Sequence, residues 1–150
     1  MSSIKPVPED YPVITAAIAA KNASEAIEFY KKAFGAIERM RLEDKQGKIG
    51  HAELNIAGGL IMISDVFPEY NHIPEEFGGT TVVLHIYVAD VDSFVSRAAA
   101  AGAKLIMPPA DQFYGDRSAR IEDPYGHVWA IATRKENVPI EEIKRRFAAM

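Results

Sequence analysis

The two halves of this chain repeat one pattern, an apolar run followed by an amphipathic helix. Residues 13–37 read VITAAIAAKNASEAIEFYKKAFGAI, and residues 81–104 read TVVLHIYVADVDSFVSRAAAAGAK. In each copy a polar residue, Asn22 or Asp90, is placed to cap the helix, and these two residues are 68 positions apart. A repeat of this length predicts two similar modules packed side by side, with a site built from both.

The helix boundaries follow from residue types at fixed spacing. Glu25, three residues after Asn22, is placed to complete a capping box, and Gly35 is placed to end the first helix. The second helix ends at Gly102 in the same way. Apolar residues at helical spacing predict the buried stripes, which are Ala26, Phe29, Tyr30, Ala33 and Phe34 in the first helix and Val91, Phe94, Val95 and Ala98 in the second.

Short strand patterns follow each helix, so each half reads β-α-β-β-β and the fold class is α+β. The strands are predicted at 13–20, 38–43, 51–56 and 60–64, and then at 81–88, 104–107, 117–122 and 128–133. We expect a single domain over residues 1–150. It comprises module one at 13–64, a linker at 65–79, module two at 80–134 and a C-terminal helix at 139–147. The long linker is rich in proline, glycine and acidic residues, which suits a flap over a site.

Composition excludes several classes of function. The formal net charge of −4 argues against nucleic acid as a partner, because phosphate binding needs a basic surface. The chain has no cysteine, which excludes disulfides, thiolate nucleophiles and cysteine-bound metals. No apolar run approaches the roughly 18–20 residues of a membrane span, and the first residues lack the apolar core of a signal peptide. We therefore expect a cytoplasmic protein that binds neither membranes nor nucleic acid.

Histidine and carboxylate side chains are the candidate metal ligands. His51 and Glu53 alternate on one strand face, and His85 and Tyr87 do so on another. A His51, Glu53 and His85 set from two strands is geometrically possible. The competing interpretation is that these residues are the solvated face of each strand.

Two further segments carry candidate chemistry. His127 follows a turn glycine, so it is either bonded to the turn through Asp123 or has a catalytic or ligand role. Tyr114 and Arg117 lie in a polar and aromatic loop. Arg117 either binds a carboxylate or phosphate bidentately or pairs with protein groups to fix the loop.

Several motifs together resemble the vicinal oxygen chelate superfamily, which contains glyoxalase I, extradiol dioxygenases, and fosfomycin and bleomycin resistance proteins. The finer resemblance is to its PhnB-like group. The motifs are Phe29-Tyr30 with Phe34-Gly35, Val88-x-Asp90-Val91-Asp92, Ala101-Gly102-Ala103, Asp123-Pro124-Tyr125-Gly126-His127, His51-Ala52-Glu53, Met62-x-Ser64-Asp65, the segment 112–117, and Gly126-His127-x-Trp129 with Ala132-Thr133. The resemblance implies paired βαβββ modules whose curved mixed sheets form a cup, and a homodimer.

The resemblance also implies where metal ligands would stand. The corresponding positions are Thr15, Val83, Ala130, and Met62 or Ser64. None of these side chains is a strong ligand for a divalent metal. We therefore expect no cofactor in this cup.

Three functional hypotheses follow. The first is a metal-free cup for a small, planar or aromatic molecule, lined by Thr15, Ala17, Met62, Ser64, His85, Tyr87 and Ala130, with Tyr114 and Arg117 near its mouth. The second is a lyase, isomerase or dioxygenase with one divalent metal, such as Zn, Ni, Mn or Fe, at the shifted site of His51, Glu53 and His85. The third is metal-free acid–base catalysis, with His85 or His127 as the base and Tyr87 or Tyr114 as the donor. Whether the protein is an enzyme stays open at this point.

Overall fold

Each half of the chain forms a four-stranded mixed sheet, with one helix in the first half and two in the second, in a computed structural model that describes residues 3–150. The first unit contains residues 35–73 and the chain up to residue 31, and the second contains 32–34 and 74–150. The elements of the first are β1 (Ala16–Ala19), α1 (Ala23–Phe34, whose last three residues belong to the second unit), β2 (Ile37–Glu43), β3 (Ile49–Ile56) and β4 (Gly59–Ser64). Those of the second are β5 (Val83–Tyr87), α2 (Val91–Ala101), β6 (Lys104–Asp111), β7 (Asp116–Glu122), β8 (Val128–Arg134) and α3 (Ile140–Ala148).

The strand order is the same in both sheets. The first sheet runs β1-β4-β3-β2 and the second β5-β8-β7-β6. In each, the first strand pairs parallel to the last, and the other pairings are antiparallel. The predicted α+β class and the repeated βαβββ plan are therefore confirmed.

Two strand boundaries differ from the predictions by three residues or more. β1 begins at Ala16 rather than at residue 13, and Val13 and Ile14 are each 88% exposed. β6 continues past Met107 to Asp111, through Pro108 and Pro109. The prolines are tolerated because β6 is an edge strand with an irregular register after Met107, so few ladder hydrogen bonds are lost. The linker also contains a short 3₁₀ turn at Pro74–Phe77.

The predicted helix caps are present. The Asn22 side chain accepts a hydrogen bond from the Glu25 amide at 3.1 Å, and the Asp90 side chain accepts one from the Ser93 amide at 3.2 Å. The glycines that end the helices, at 35 and 102, have positive φ angles of 66° and 119°. Side chains other than glycine rarely adopt this conformation, so these glycines fix where each helix stops.

A residue at the end of the last strand of each sheet, Asp65 just after β4 and Thr133 within β8, anchors the start of the preceding helix. Asp65 accepts hydrogen bonds from the amides of Ala23 at 2.8 Å and Ile49 at 2.7 Å. In the second unit the Thr133 hydroxyl accepts from the Val91 amide at 2.9 Å and donates to the Val88 carbonyl at 2.8 Å. The two anchors are 68 positions apart, like the caps, so the repeat extends to these contacts.

Asp65→Ala should lower the free energy of unfolding by about 2 kcal/mol, because two backbone amides lose a charged acceptor. Urea denaturation followed by circular dichroism measures the change. Glu69→Ala, which removes an exposed carboxylate, is the matched control and should change stability by less than about 0.5 kcal/mol. Equal effects of the two substitutions would contradict the anchoring role.

Burial separates the two faces of each sheet. In the first unit Ile27 and Tyr30 of α1 are buried, as are Leu54 and Ile63 of the sheet. In the second unit the buried residues include Val91 and Val95 of α2 and Ile121, Trp129 and Ile131 of the sheet. Side chains alternate along a strand, so the residues between these core positions lie on the opposite face, called the open face below.

No helix within residues 3–150 is both long enough and apolar enough to cross a membrane.

Candidate functional site

The open face of the second sheet carries a row of aligned residues. The strand register places His85 beside Ala130, Ala130 beside Arg120, and Arg120 beside Met107. The neighbouring row consists of Leu84, Trp129 and Ile121. Because Trp129 and Ile121 are buried, this row lies on the opposite face, which packs against α2 and is called the helix face below. The open face is accessible, because Val83, Tyr87 and Met107 are 38%, 51% and 52% exposed.

Tyr87 is held in place by a buried carboxylate. Its hydroxyl donates a 2.6 Å hydrogen bond to Asp116, and Arg134 Nε lies 3.3 Å from the other carboxylate oxygen. The hydrogen bond to Asp116 is the main cause that raises the pKa of Tyr87, and burial adds to it. The phenol therefore stays protonated and fixed, while its ring lies 5.0 Å from that of His85.

The open face of the first sheet contains a buried carboxylate, Glu53. The Tyr11 hydroxyl lies 3.0 Å from each of its oxygens, and His51 Nε2 lies 2.8 Å from Oε2. The bond with His51 is the main cause that lowers the pKa of Glu53; the bond from Tyr11 also lowers it, and burial opposes both. The adjacent positions in the row are Met62 and Ala17 on one side and Met40 on the other.

The segment before β1 contacts this carboxylate through Tyr11 and is bound by Arg39. The guanidinium of Arg39 lies 4.4 Å from the centroid of the Tyr11 ring and donates to Asp10 Oδ2 at 3.0 Å. Arg39 Nε is also 3.6 Å from Glu53. Every oxygen of Glu53 thus has a protein partner in the first unit.

Glu53→Gln should make stability less dependent on pH in the acid range. The pKa of Glu53 lies below its ordinary value of 4.5 in the folded protein. Its contribution is therefore present above the unfolded-state pKa and is lost in the acid range as pH falls through the lower folded-state pKa. Urea midpoints measured across that range should fall less steeply for the variant than for the wild type. Glu69→Gln is the control and should keep the wild-type slope; the same slope in Glu53→Gln would refute the assignment.

Several predicted site residues make contacts within their own unit, through a hydroxyl group, a backbone amide or an aromatic ring. The Thr15 hydroxyl lies 3.5 Å from the Pro12 carbonyl, and the Ser64 hydroxyl donates to the Asp65 carbonyl and accepts from Asn71, both at 3.0 Å. The His127 amide donates to Asp123 at 3.1 Å. Tyr114 packs edge-on to Phe113, with ring centroids 5.1 Å apart.

Arg117 lies on the helix face, not on the open face with His85 and Tyr87. Its guanidinium donates to Asp92 of α2 at 2.7 and 3.0 Å and to Asp111 at 3.3 Å. Of the two interpretations of Arg117, the contacts favour the one in which it pairs with protein groups.

Three residues of the second sheet belong to the candidate site but are not predicted from the sequence: Asp116, Arg120 and Arg134. The alternation along β7 carries a signal for the first two, because buried Ala119 and Ile121 mark the helix face and leave Asp116 and Arg120 on the other. Nothing in the sequence indicates the contact between Arg134 and Asp116.

The residues present do not fit a divalent metal at the positions that the resemblance implies. Those positions hold Thr15, Val83, Ala130, and Met62 or Ser64, and none of these side chains supplies an imidazole or a carboxylate. Within residues 3–150, no group of three or more His, Cys, Asp or Glu side chains is arranged to hold a metal ion. His51 and Glu53 are adjacent, as predicted, but they are two donors rather than three.

Comparisons with known proteins agree with this architecture. The Glyoxalase/Bleomycin resistance protein/Dioxygenase superfamily model matches residues 13–131. An uncharacterized protein of Mycobacterium bovis is 36% identical over 137 residues, which cover 89% of this chain and 90% of that protein. One from Arabidopsis thaliana is 30% identical over 128 residues, covering 79% and 75%.

Solved structures show the same fold. The crystal structure of TioX from Micromonospora sp. ML1 has a TM-score of 0.65 and 26% identity, covering 84% of this chain and 98% of that one. A PhnB protein from Bacillus cereus, described as a putative 3-demethylubiquinone-9 3-methyltransferase, has a TM-score of 0.60 at 19% identity, covering 80% and 98%. At 19% identity the likeness to the Bacillus protein concerns the fold alone.

Proposed function

This chain belongs to the Glyoxalase/Bleomycin resistance protein/Dioxygenase superfamily, and we propose that it binds a small planar organic molecule without a metal ion. The observation that carries the proposal is the half-exposed ring of Tyr87, fixed by its hydrogen bond to buried Asp116. A ring that is already held in place loses little conformational freedom when a ligand stacks on it. Aromatic stacking of this kind contributes about 0.5–1.5 kcal/mol beyond the area it buries.

The surroundings of Tyr87 suit an apolar, flat ligand. Val83 and Met107 expose apolar surface on the same face, and Ala130 occupies little volume between His85 and Arg120. Burial of such surface stabilises a complex by roughly 25 cal/mol per Å². Ligand specificity would then come from the few polar groups of the face, namely His85, Tyr87 and Arg120.

Tyr87→Ala should weaken the binding of 2-naphthamide, a neutral planar probe, by about tenfold, because the stacking surface is lost. Isothermal titration calorimetry measures the dissociation constant. Tyr70→Ala is the matched control, since Tyr70 is also an exposed tyrosine but lies in the first unit. Equal affinity in Tyr87→Ala and the wild type would refute this site.

Acid–base catalysis on the same face is the second candidate. The observation that favours it is the closeness of His85, whose ring has no hydrogen-bond partner within the described chain, to the protonated phenol of Tyr87. In such a reaction His85 would accept a proton, and Tyr87 could donate to the ligand only by releasing Asp116, because its hydroxyl has a single hydrogen. Conversion of a bound ligand that is lost in His85→Gln, with binding unchanged, would favour catalysis over simple binding.

The metal-dependent alternative needs His51, Glu53 and His85 to share one ion such as Zn, Ni, Mn or Fe. The partners of Glu53, namely Tyr11, His51 and Arg39, disfavour this alternative. Native mass spectrometry of protein purified without chelator distinguishes the cases. A stoichiometric metal that disappears in His51→Ala would overturn the metal-free proposal.

The proposal extends to a cytoplasmic homodimer, by the family resemblance. Exposed apolar side chains such as Leu105, Ile106 and Ile140 in the second unit offer surface that association would bury. Sedimentation velocity at micromolar concentration should show a dimer, and a monomer there would contradict this part of the proposal.

A further inference from the structure

We infer that the molecule bound by the second sheet carries a carboxylate, and that Arg120 recognises it. This inference rests on the proposed function, because it concerns the same open face. It adds the chemical class of the ligand and the residue that selects it.

Arg120 differs from the other arginines in having no partner in the part of the chain that the structure describes. Seven of the eight arginines donate to a carboxylate or a carbonyl of the chain: Arg39, Arg41, Arg97, Arg117, Arg134, Arg145 and Arg146. Within residues 3–150, no carboxylate, carbonyl or aromatic ring pairs with Arg120, which is exposed on β7. Its five N–H donors are available to an incoming group.

The position of Arg120 directs this free guanidinium toward the site. Arg120 and His85 stand on either side of Ala130 in one row, so their backbones are about 10 Å apart across two strand spacings. Between them Ala130 contributes only a methyl group, which is buried, whereas His85 and Arg120 are exposed. A guanidinium matches the geometry of a carboxylate, because two parallel N–H groups bond its two oxygens.

Nearby carboxylates do not compensate the charge of Arg120. Asp116, on the same face of β7, is already bonded to Tyr87 and Arg134. Glu122 is beside Lys104 in the strand register, and within residues 3–150 it forms no ion pair with Arg120. The face therefore keeps a positive charge at Arg120, which favours an anionic ligand.

The first sheet has no exposed, unpaired arginine at the corresponding position, so the proposed carboxylate site is on the second sheet. The first row is Ala17, Met62, Glu53 and Met40, and the second is His85, Ala130, Arg120 and Met107. Glu53 thus occupies the position of Arg120, with the opposite charge. Glu53 is buried and bonded to Tyr11 and His51, whereas Arg120 is exposed and unpaired.

The test compares 2-naphthoate with 2-naphthamide, which have the same ring and differ in charge. Calorimetry at low ionic strength should show that the wild type binds the carboxylate about tenfold more tightly than the amide. Arg120→Gln should abolish this preference, because the affinity for the carboxylate should fall to about that for the amide. Arg145→Gln removes the same charge from α3 and is the control; it should keep the preference.

Any other result of this experiment would overturn a specific part of the proposal. Equal affinities in the wild type would refute the carboxylate inference and leave the binding of planar molecules standing. A preference that persists in Arg120→Gln, or is lost equally in Arg145→Gln, would refute the role of Arg120. If neither compound binds, the inference and the proposed function both fail. Arg120→Lys keeps the charge but not the paired donors, so it should retain only part of the preference.

Discussion

We expect Trp129→Ala to lower the free energy of unfolding by about 4 kcal/mol, the largest effect of any substitution considered for this chain. Trp129 is 1% exposed, and its ring packs edge-on against Phe34 with centroids 4.9 Å apart. Its indole N–H donates to Asp123 at 2.9 Å. Truncation therefore opens a cavity and removes a buried hydrogen bond at once.

Urea denaturation followed by circular dichroism is the suitable measurement, because Trp129 is the only tryptophan and its replacement removes the fluorescence probe. Trp129→Phe separates the two contributions. It keeps most of the packing but loses the N–H, so we expect a loss of about 2 kcal/mol. A loss below about 1.5 kcal/mol for Trp129→Ala would contradict its central place in the core.

Gly115→Ala should lower the free energy of unfolding by about 3 kcal/mol, the second largest effect. Gly115 has a φ of 101°, and a Cβ atom there would lie 2.5 Å from the Glu136 carbonyl oxygen. The backbone of this segment must move to relieve the overlap. Because Asp116 follows directly, we also expect its bond to Tyr87 to weaken.

Gly47→Ala is the matched control for this substitution. Gly47 closes a four-residue turn by donating to the Asp44 carbonyl, as Gly115 does to the Gln112 carbonyl, and the two glycines are 68 positions apart. Gly47 also has a positive φ, of 81°, but nothing lies within 4 Å of a Cβ placed there. Its substitution should cost only about 1 kcal/mol from backbone strain. Similar losses in both variants would show that the Glu136 contact is unimportant.

The fold was predictable because its signals are local and occur twice. The caps at Asn22 and Asp90 and the glycines at 35 and 102 follow from residue types at fixed spacing, and the structure contains all four. The start of β1 was predicted three residues too early. Val13 and Ile14 are apolar but exposed, and an apolar composition does not tell a buried residue from an exposed one.

The candidate site was predictable only in part, because its key contacts join residues far apart in the chain. Alternation along β3 placed His51 beside Glu53, and the structure has them 2.8 Å apart. The bond from Tyr87 to Asp116 spans 29 residues, and that from Tyr11 to Glu53 spans 42. Such contacts depend on tertiary packing, which no local pattern specifies.

The pairing of strands within each half has a consequence for synthesis of the protein. All partners in the first sheet lie between Ala16 and Ser64, so a nascent chain can close that sheet while the second half is still being translated. The side chain of Phe34, at the end of α1, is buried only later in synthesis, because it packs against Phe94 and Trp129. Until β8 leaves the ribosome, that aromatic ring lacks its partners and is a surface that a chaperone can bind.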